Sequence, residues 1–93
     1  MEILVMTIRL RAPWCRSLKD KRAQIKRLIM GLRHQFNASV CESGCQEALT
    51  MMEIQAAMLV FHHAQADSMA QQLMDWLERN TEAEMVDVQR EIR

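Results

Sequence analysis

Seven cations crowd the stretch from Arg16 to Arg33: Arg16, Lys19, Lys21, Arg22, Lys26, Arg27 and Arg33, interrupted by one acid, Asp20. Guanidinium and ammonium groups in such a run can donate charge-assisted hydrogen bonds to phosphate or carboxylate. Lys19, Lys26 and Arg33 recur every seven residues with Arg22 between them. On a helix this spacing makes one flank, a ribbon about 21 Å long at 1.5 Å per residue. Such a ribbon can contact several phosphates, each adding to the salt dependence of binding. Arg9, Arg11 and Arg16 are outliers of the same patch, so the candidate nucleic-acid-binding set is Arg9, Arg11, Arg16, Lys19, Arg22, Lys26 and Arg33. The competing reading is a solvated helix face that pairs with acidic residues later in the chain.

Other chemistry is thinly supplied. Cys41, Cys45, His62 and His63 carry zinc-ligand atoms, but the interval between the cysteines is not followed by a second well-spaced pair. No metal or other cofactor is expected, and the His pair reads as a turn into a helix. Cys15 beside Arg16 near a helix start has the setting of a reactive thiol, yet one residue is not a mechanism. There is no Gly-rich phosphate loop, no nucleophile elbow and no evident acid pair, so no catalytic residue is assigned and the chain reads as a non-enzyme. The lack of tyrosine and of a Gly-aromatic-Gly signature argues against base stacking on a sheet face. The nine methionines fall mostly at core-periodic positions and read as filling.

The charge is divided along the chain. Residues 1 to 36 hold nine Lys/Arg against two acids, and residues 37 to 93 hold three against ten, giving +7 and −7 and a net charge of zero. This division can serve internal attraction, self-association or an anionic partner. Ninety-three residues, 49% hydrophobic and 26% charged, suit a single domain over 1–93 with one modest core. No apolar run approaches the roughly 18 to 20 residues of a membrane span, and the start lacks the basic region of a signal peptide. Three cysteines, an odd number without scaffold rhythm, fit a reducing compartment. A cytoplasmic protein without membrane contact is the expectation.

The elements that must position the ribbon follow from periodicity. Residues 2 to 11 alternate, with Leu4, Met6, Ile8 and Leu10 on one side, as a half-buried strand does. After Pro13, Ser17 and Asp20 have the spacing of a helix cap. Leu18, Ile25, Leu28, Ile29, Leu32 and Phe36 then form an apolar stripe on a helix that runs to about residue 34 or 35 through Gly31. A short strand at 37–42, a loop at 43–47 and a long strand at 50–61 follow. A second helix over about 64–80 carries Ala66, Met69, Ala70, Leu73, Trp76 and Leu77 on one face. A last strand at 85–92 is expected to turn Val86, Val88 and Ile92 inward. The order β-α-β-β-α-β implies an α+β, ferredoxin-like domain, a four-stranded antiparallel sheet with two helices on one face. The uncovered face would expose Ile3, Val5, Met51, Leu59 and Phe61, an apolar set that predicts a homodimer interface.

The segments Arg11-Ala12-Pro13-Trp14-Cys15-Arg16-Ser17-Leu18-Lys19-Asp20-Lys21-Arg22 and Leu32-Arg33-His34-Gln35-Phe36-Asn37-Ala38-Ser39-Val40 resemble the YlxP-like family of small bacterial proteins of unknown function. The resemblance extends to Val88-Gln89-Arg90-Glu91-Ile92 and covers essentially the whole chain. It implies a ferredoxin-like fold and no established reaction. Members are often encoded among genes for transcription, translation initiation and ribosome maturation, and are sometimes likened to the RbfA type of ribosome-binding factor. The resemblance therefore implies an RNA or ribosome partner. Trp14-Cys15 departs from a smaller Gly-Ser-like turn, and His62-His63 stands where Asn or Asp caps are common. The expectation is a non-enzymatic RNA- or ribosome-associated module, with a homodimeric protein-interaction domain as the alternative.

Overall fold

The computed structural model describes residues 1–93. Its elements are β1 (Glu2–Arg11), α1 (Leu18–Phe36), β2 (Ser39–Gly44), β3 (Met51–Val60), α2 (His63–Asn80) and β4 (Glu84–Ile92). Alternation along β1 dictates the layering. Leu4, Met6, Ile8 and Leu10 are fully buried, as are Met52 and Ile54 on β3, with Ala56, Met58 and Val60 nearly so. Ile25, Leu28 and Leu32 of α1 and Ala66, Ala70, Leu73 and Leu77 of α2 complete the same core. Both helices therefore lie on one side of the sheet. Burying each larger aliphatic side chain contributes about 1.5–3 kcal/mol. Neither helix is long and apolar enough to cross a membrane.

The four strands are ordered β2-β3-β1-β4, and every neighbouring pair is antiparallel. β1 and β3 form an unbroken ladder from Glu2↔Val60 to Arg11↔Met51. This is the ferredoxin-like α+β arrangement that the element order implies. The inward set of β4 differs from expectation. Ile8 pairs with Val88 and Arg9 with Asp87, but Leu10 pairs with Met85, so Val86 is skipped. This bulge changes the phase of the strand. Met85, Val88 and Ile92 pack on the core while Val86 remains 40% exposed.

The helix ends are built by short polar links. Ser17 Oγ accepts the Asp20 N–H at 3.0 Å, and Asn37 ends α1 in the left-handed region at φ 49°, a place where Asn is tolerated. At α2, His62 Nδ1 accepts the Gln65 N–H at 3.2 Å, and Gln65 Oε1 accepts the Phe61 N–H at 2.5 Å. This arrangement is related to a capping box, with imidazole in place of a hydroxyl and the glutamine side chain reaching one residue before the cap. It gives His62 a structural role at the turn.

Two internal contacts set the position of α1. A Cβ on Gly31 would lie 2.5 Å from two ring atoms of Trp76, so glycine makes room for the indole between the helices. The second contact was concealed within the basic run. Lys21 is only 1% exposed, and its ammonium donates to the carbonyl oxygens of Cys45 and Ala48, the latter at 2.5 Å. Its apolar stem lies in the helix stripe while its head fixes the β2–β3 loop, in which Cys45 takes a φ of 60°. A buried carbonyl left without its donor costs about 1–3 kcal/mol.

Gly31→Ala should lower stability by about 1–2 kcal/mol, because displacement of a packed ring outweighs the roughly 1 kcal/mol gain in helix propensity. Thermal unfolding and the Trp76 fluorescence maximum should move together. Lys21→Met keeps the apolar stem and removes the donor. Its urea midpoint should fall by an amount equivalent to about 1–3 kcal/mol with an unchanged m value; an unchanged midpoint would contradict the clamp.

Candidate functional site

The two flanks of α1 have different neighbours. On one, Gly31 meets Trp76, and Arg27 donates to the carbonyl of Asn80 at 3.0 Å, so this flank faces α2. Arg33 lies on the other, where its Nη2 donates to the Val40 carbonyl of β2 at 2.7 Å. Lys19 and Lys26 share that outer flank, because a seven-residue step returns to within about 20° of the same direction, and Arg22, three and four residues from them, is their neighbour on the helix surface. All three are exposed. No carboxylate lies within ion-pair distance of them or of Arg16, since the acids that form pairs bind Arg9, Arg11, Arg90, Arg93 and His63.

The seven candidate cations therefore separate into three groups. Arg16, Lys19, Arg22 and Lys26 are unpaired on and before the outer flank. Arg33 is tied to the β2 edge while keeping its charge. Arg9 and Arg11 lie on the open sheet face, where Arg9 Nε reaches Glu53 at 2.8 Å and Arg11 Nη2 reaches Glu84 at 2.6 Å. Sequence spacing could not separate these groups. The distinction depends on β1 lying beside β3 and β4, which aligns Arg9 with Glu53 and Arg11 with Glu84.

Glu53 is the centre of the open-face cluster. It also accepts from Ser43 Oγ at 2.8 Å. The hydrogen bond from Arg9, followed by that from Ser43, holds its carboxyl below the ordinary range. The folded value is the lower one, so the stabilisation from this group is present above its unfolded pKa. It is lost as pH falls through the lowered folded value. A Cβ on Gly44 would lie 2.6 Å from Glu53 Oε2, and glycine leaves space for the carboxylate.

The apolar residues of the open face gather at its other end. Ile3 pairs with Leu59 in the β1–β3 ladder. Ile3 is 41%, Leu59 66% and Phe61 68% exposed, and Met1 is 76% exposed. Val5 is half-buried beside this patch. Met51 is also half-buried but pairs with Arg11 at the charged end. The structure thus brings four of the five expected interface residues together and separates Met51 from them.

The thiols occupy unlike environments. Cys15 is 4% exposed, and burial pushes its thiol pKa up, with the nearby Asp20 adding to the shift and Lys21 opposing it. This disfavours the reactive thiolate considered for that position. Cys41 is exposed and Cys45 half-buried. No three His, Cys, Asp or Glu side chains form a metal-binding group.

A polar groove of about 420 Å³ beside the helix pair is lined by Trp14, Arg27, Glu78 and Glu82, among others. A larger cavity of about 560 Å³ includes Arg33, Arg93 and Gln55. Neither follows from a contiguous sequence motif. Comparison with curated proteins gives no match. The model of a family described as a protein of unknown function, DUF503, matches residues 3–90. The ferredoxin-like chain with its basic outer flank thus belongs to the DUF503 family of unknown function.

Proposed function

We propose that the protein is a non-enzymatic binding module that engages RNA, in a ribosomal setting, through the outer flank of α1. The observation that carries this reading is the exposure of Lys19, Arg22 and Lys26 without an acidic partner on the flank facing away from α2. Internal pairing with the acidic half is the competing use of these cations, and none of its acids reaches Lys19, Arg22 or Lys26. A rigid helix presenting separated charges favours phosphate contacts over base readout. The YlxP-like resemblance supports an RNA or ribosome partner, and the odd cysteine count without scaffold rhythm fits a cytoplasmic setting. Arg16 extends the patch at the helix start, whereas the charges of Arg9 and Arg11 are already balanced by Glu53 and Glu84.

A Lys19/Arg22/Lys26 triple alanine variant should lose most affinity for structured ribosomal RNA at low salt. In the native chain, log Kd against log salt should have a slope of about 3, if three duplex phosphates are neutralised. Circular dichroism checks that the variant remains folded. Equal RNA affinity of the two folded proteins would sink this reading.

A second reading is favoured by the contiguous patch of Met1, Ile3, Leu59 and Phe61 on the uncovered face. In it a second copy covers this patch and forms a homodimer. Sedimentation should show a concentration-dependent dimer that Leu59→Glu converts to monomer. A monomer across micromolar concentrations in the native chain would remove it.

A further inference from the structure

The open face beside β2 carries a feature that borrows Arg33 from the basic flank and Val5 from the border of the apolar patch. Val5 of β1 pairs with Ala57 of β3, which pairs with Ser39 of β2. This row has small side chains at two of its three positions. It forms the floor of the cavity of about 560 Å³, whose lining also includes Arg33 and Arg93. The volume lies within the roughly 300–1,000 Å³ usual for small-molecule sites.

The polar groups around this floor retain unused valences. Arg33 uses Nη2 on the neutral Val40 carbonyl, leaving Nε and Nη1 without a protein acceptor. Arg93 donates Nε and Nη2 to Glu91 at 2.9 and 3.1 Å, so its charge already has a partner. Gln55 donates its amide to Thr7 Oγ1 at 3.2 Å, leaving its carbonyl oxygen available. Ser39 Oγ forms no hydrogen bond within the protein. The floor is apolar at Val5 and Ala57, Ser39 and Gln55 offer donor and acceptor groups, and the charge without an acidic partner is at Arg33. A guanidinium edge fits phosphate oxygens in a paired geometry.

From this arrangement we infer that the trough binds a small organic phosphate in the size class of a mononucleotide. Its organic part lies over Val5 and Ala57, its polar groups face Ser39 and Gln55, and its phosphate meets Arg33. The Arg93–Glu91 pair closes the opposite end. A four-stranded sheet spans only about 14 Å between its outer strands at 4.8 Å per spacing, which favours a compact ligand over a chain.

Adenosine monophosphate titrated into the full chain, followed by amide NMR, tests the inference. Saturable shifts should centre on Ser39, Gln55 and Ala57, and adenosine should bind at least about tenfold more weakly, equivalent to about 1.4 kcal/mol. Arg33→Ala should reduce affinity by a similar factor. Ala57→Leu, an open-face change that leaves the Arg33 link to β2 in place, should block binding by filling the floor. The Lys19/Lys26 double alanine variant should bind normally, which separates this site from the RNA-binding reading. Shifts centred on α1, equal binding of adenosine and its phosphate, or no saturation at millimolar concentration would overturn the proposal.

Discussion

The pairing of β1 on both sides is the constraint from which the other relations follow. Held between β3 and β4, it has no freedom to rotate, so its alternating side chains must divide between the helix layer and the open face. Leu4, Met6, Ile8 and Leu10 supply the central part of the core. The same register places Ile3 beside Leu59, Val5 beside Ala57 and Arg9 beside Glu53. A single ladder thus orders the open face from an apolar end, through a row of small side chains, to a charged end.

This geometry also explains how a chain with no net charge retains a basic surface. Acids on β3 and β4 pair with arginines of β1, while Asp67 of α2 pairs with Arg90 of β4. Sheet registry and packing consume those acids locally. The cations of the outer α1 flank are on the side away from α2 and receive none of them. Segregation in sequence becomes selective neutralisation in space. The lysine whose head is drawn inward, Lys21, has neutral carbonyls for partners and serves the loop instead.

Periodicity made the order of elements, the Ser17 cap and the main helix stripes legible, because each is a local pattern with a direct physical cause. Val86 was misplaced because a bulge shifts the strand phase without requiring glycine or proline to announce it. Lys21 resembled its solvated neighbours because composition does not reveal where a long side chain ends. The pairing of Arg9 and Arg11 depended on strand register, and the cavity joined Arg33 of α1 to residues of β1, β2 and β3 and to Arg93. These are relations between distant segments, and a single helix or strand pattern cannot specify them.

The bulges have a consequence for the borders of the sheet. Both outer strands are irregular: β4 skips Val86, and β2 shifts register between Glu42 and Gly44. Arg33 further occupies the Val40 carbonyl on β2. A flat border with a continuous row of free amides and carbonyls would template another strand, whereas bends and an occupied carbonyl frustrate such templating. The domain is consequently guarded against growing sideways into a ribbon of linked sheets, while its broad face remains open to a differently shaped contact.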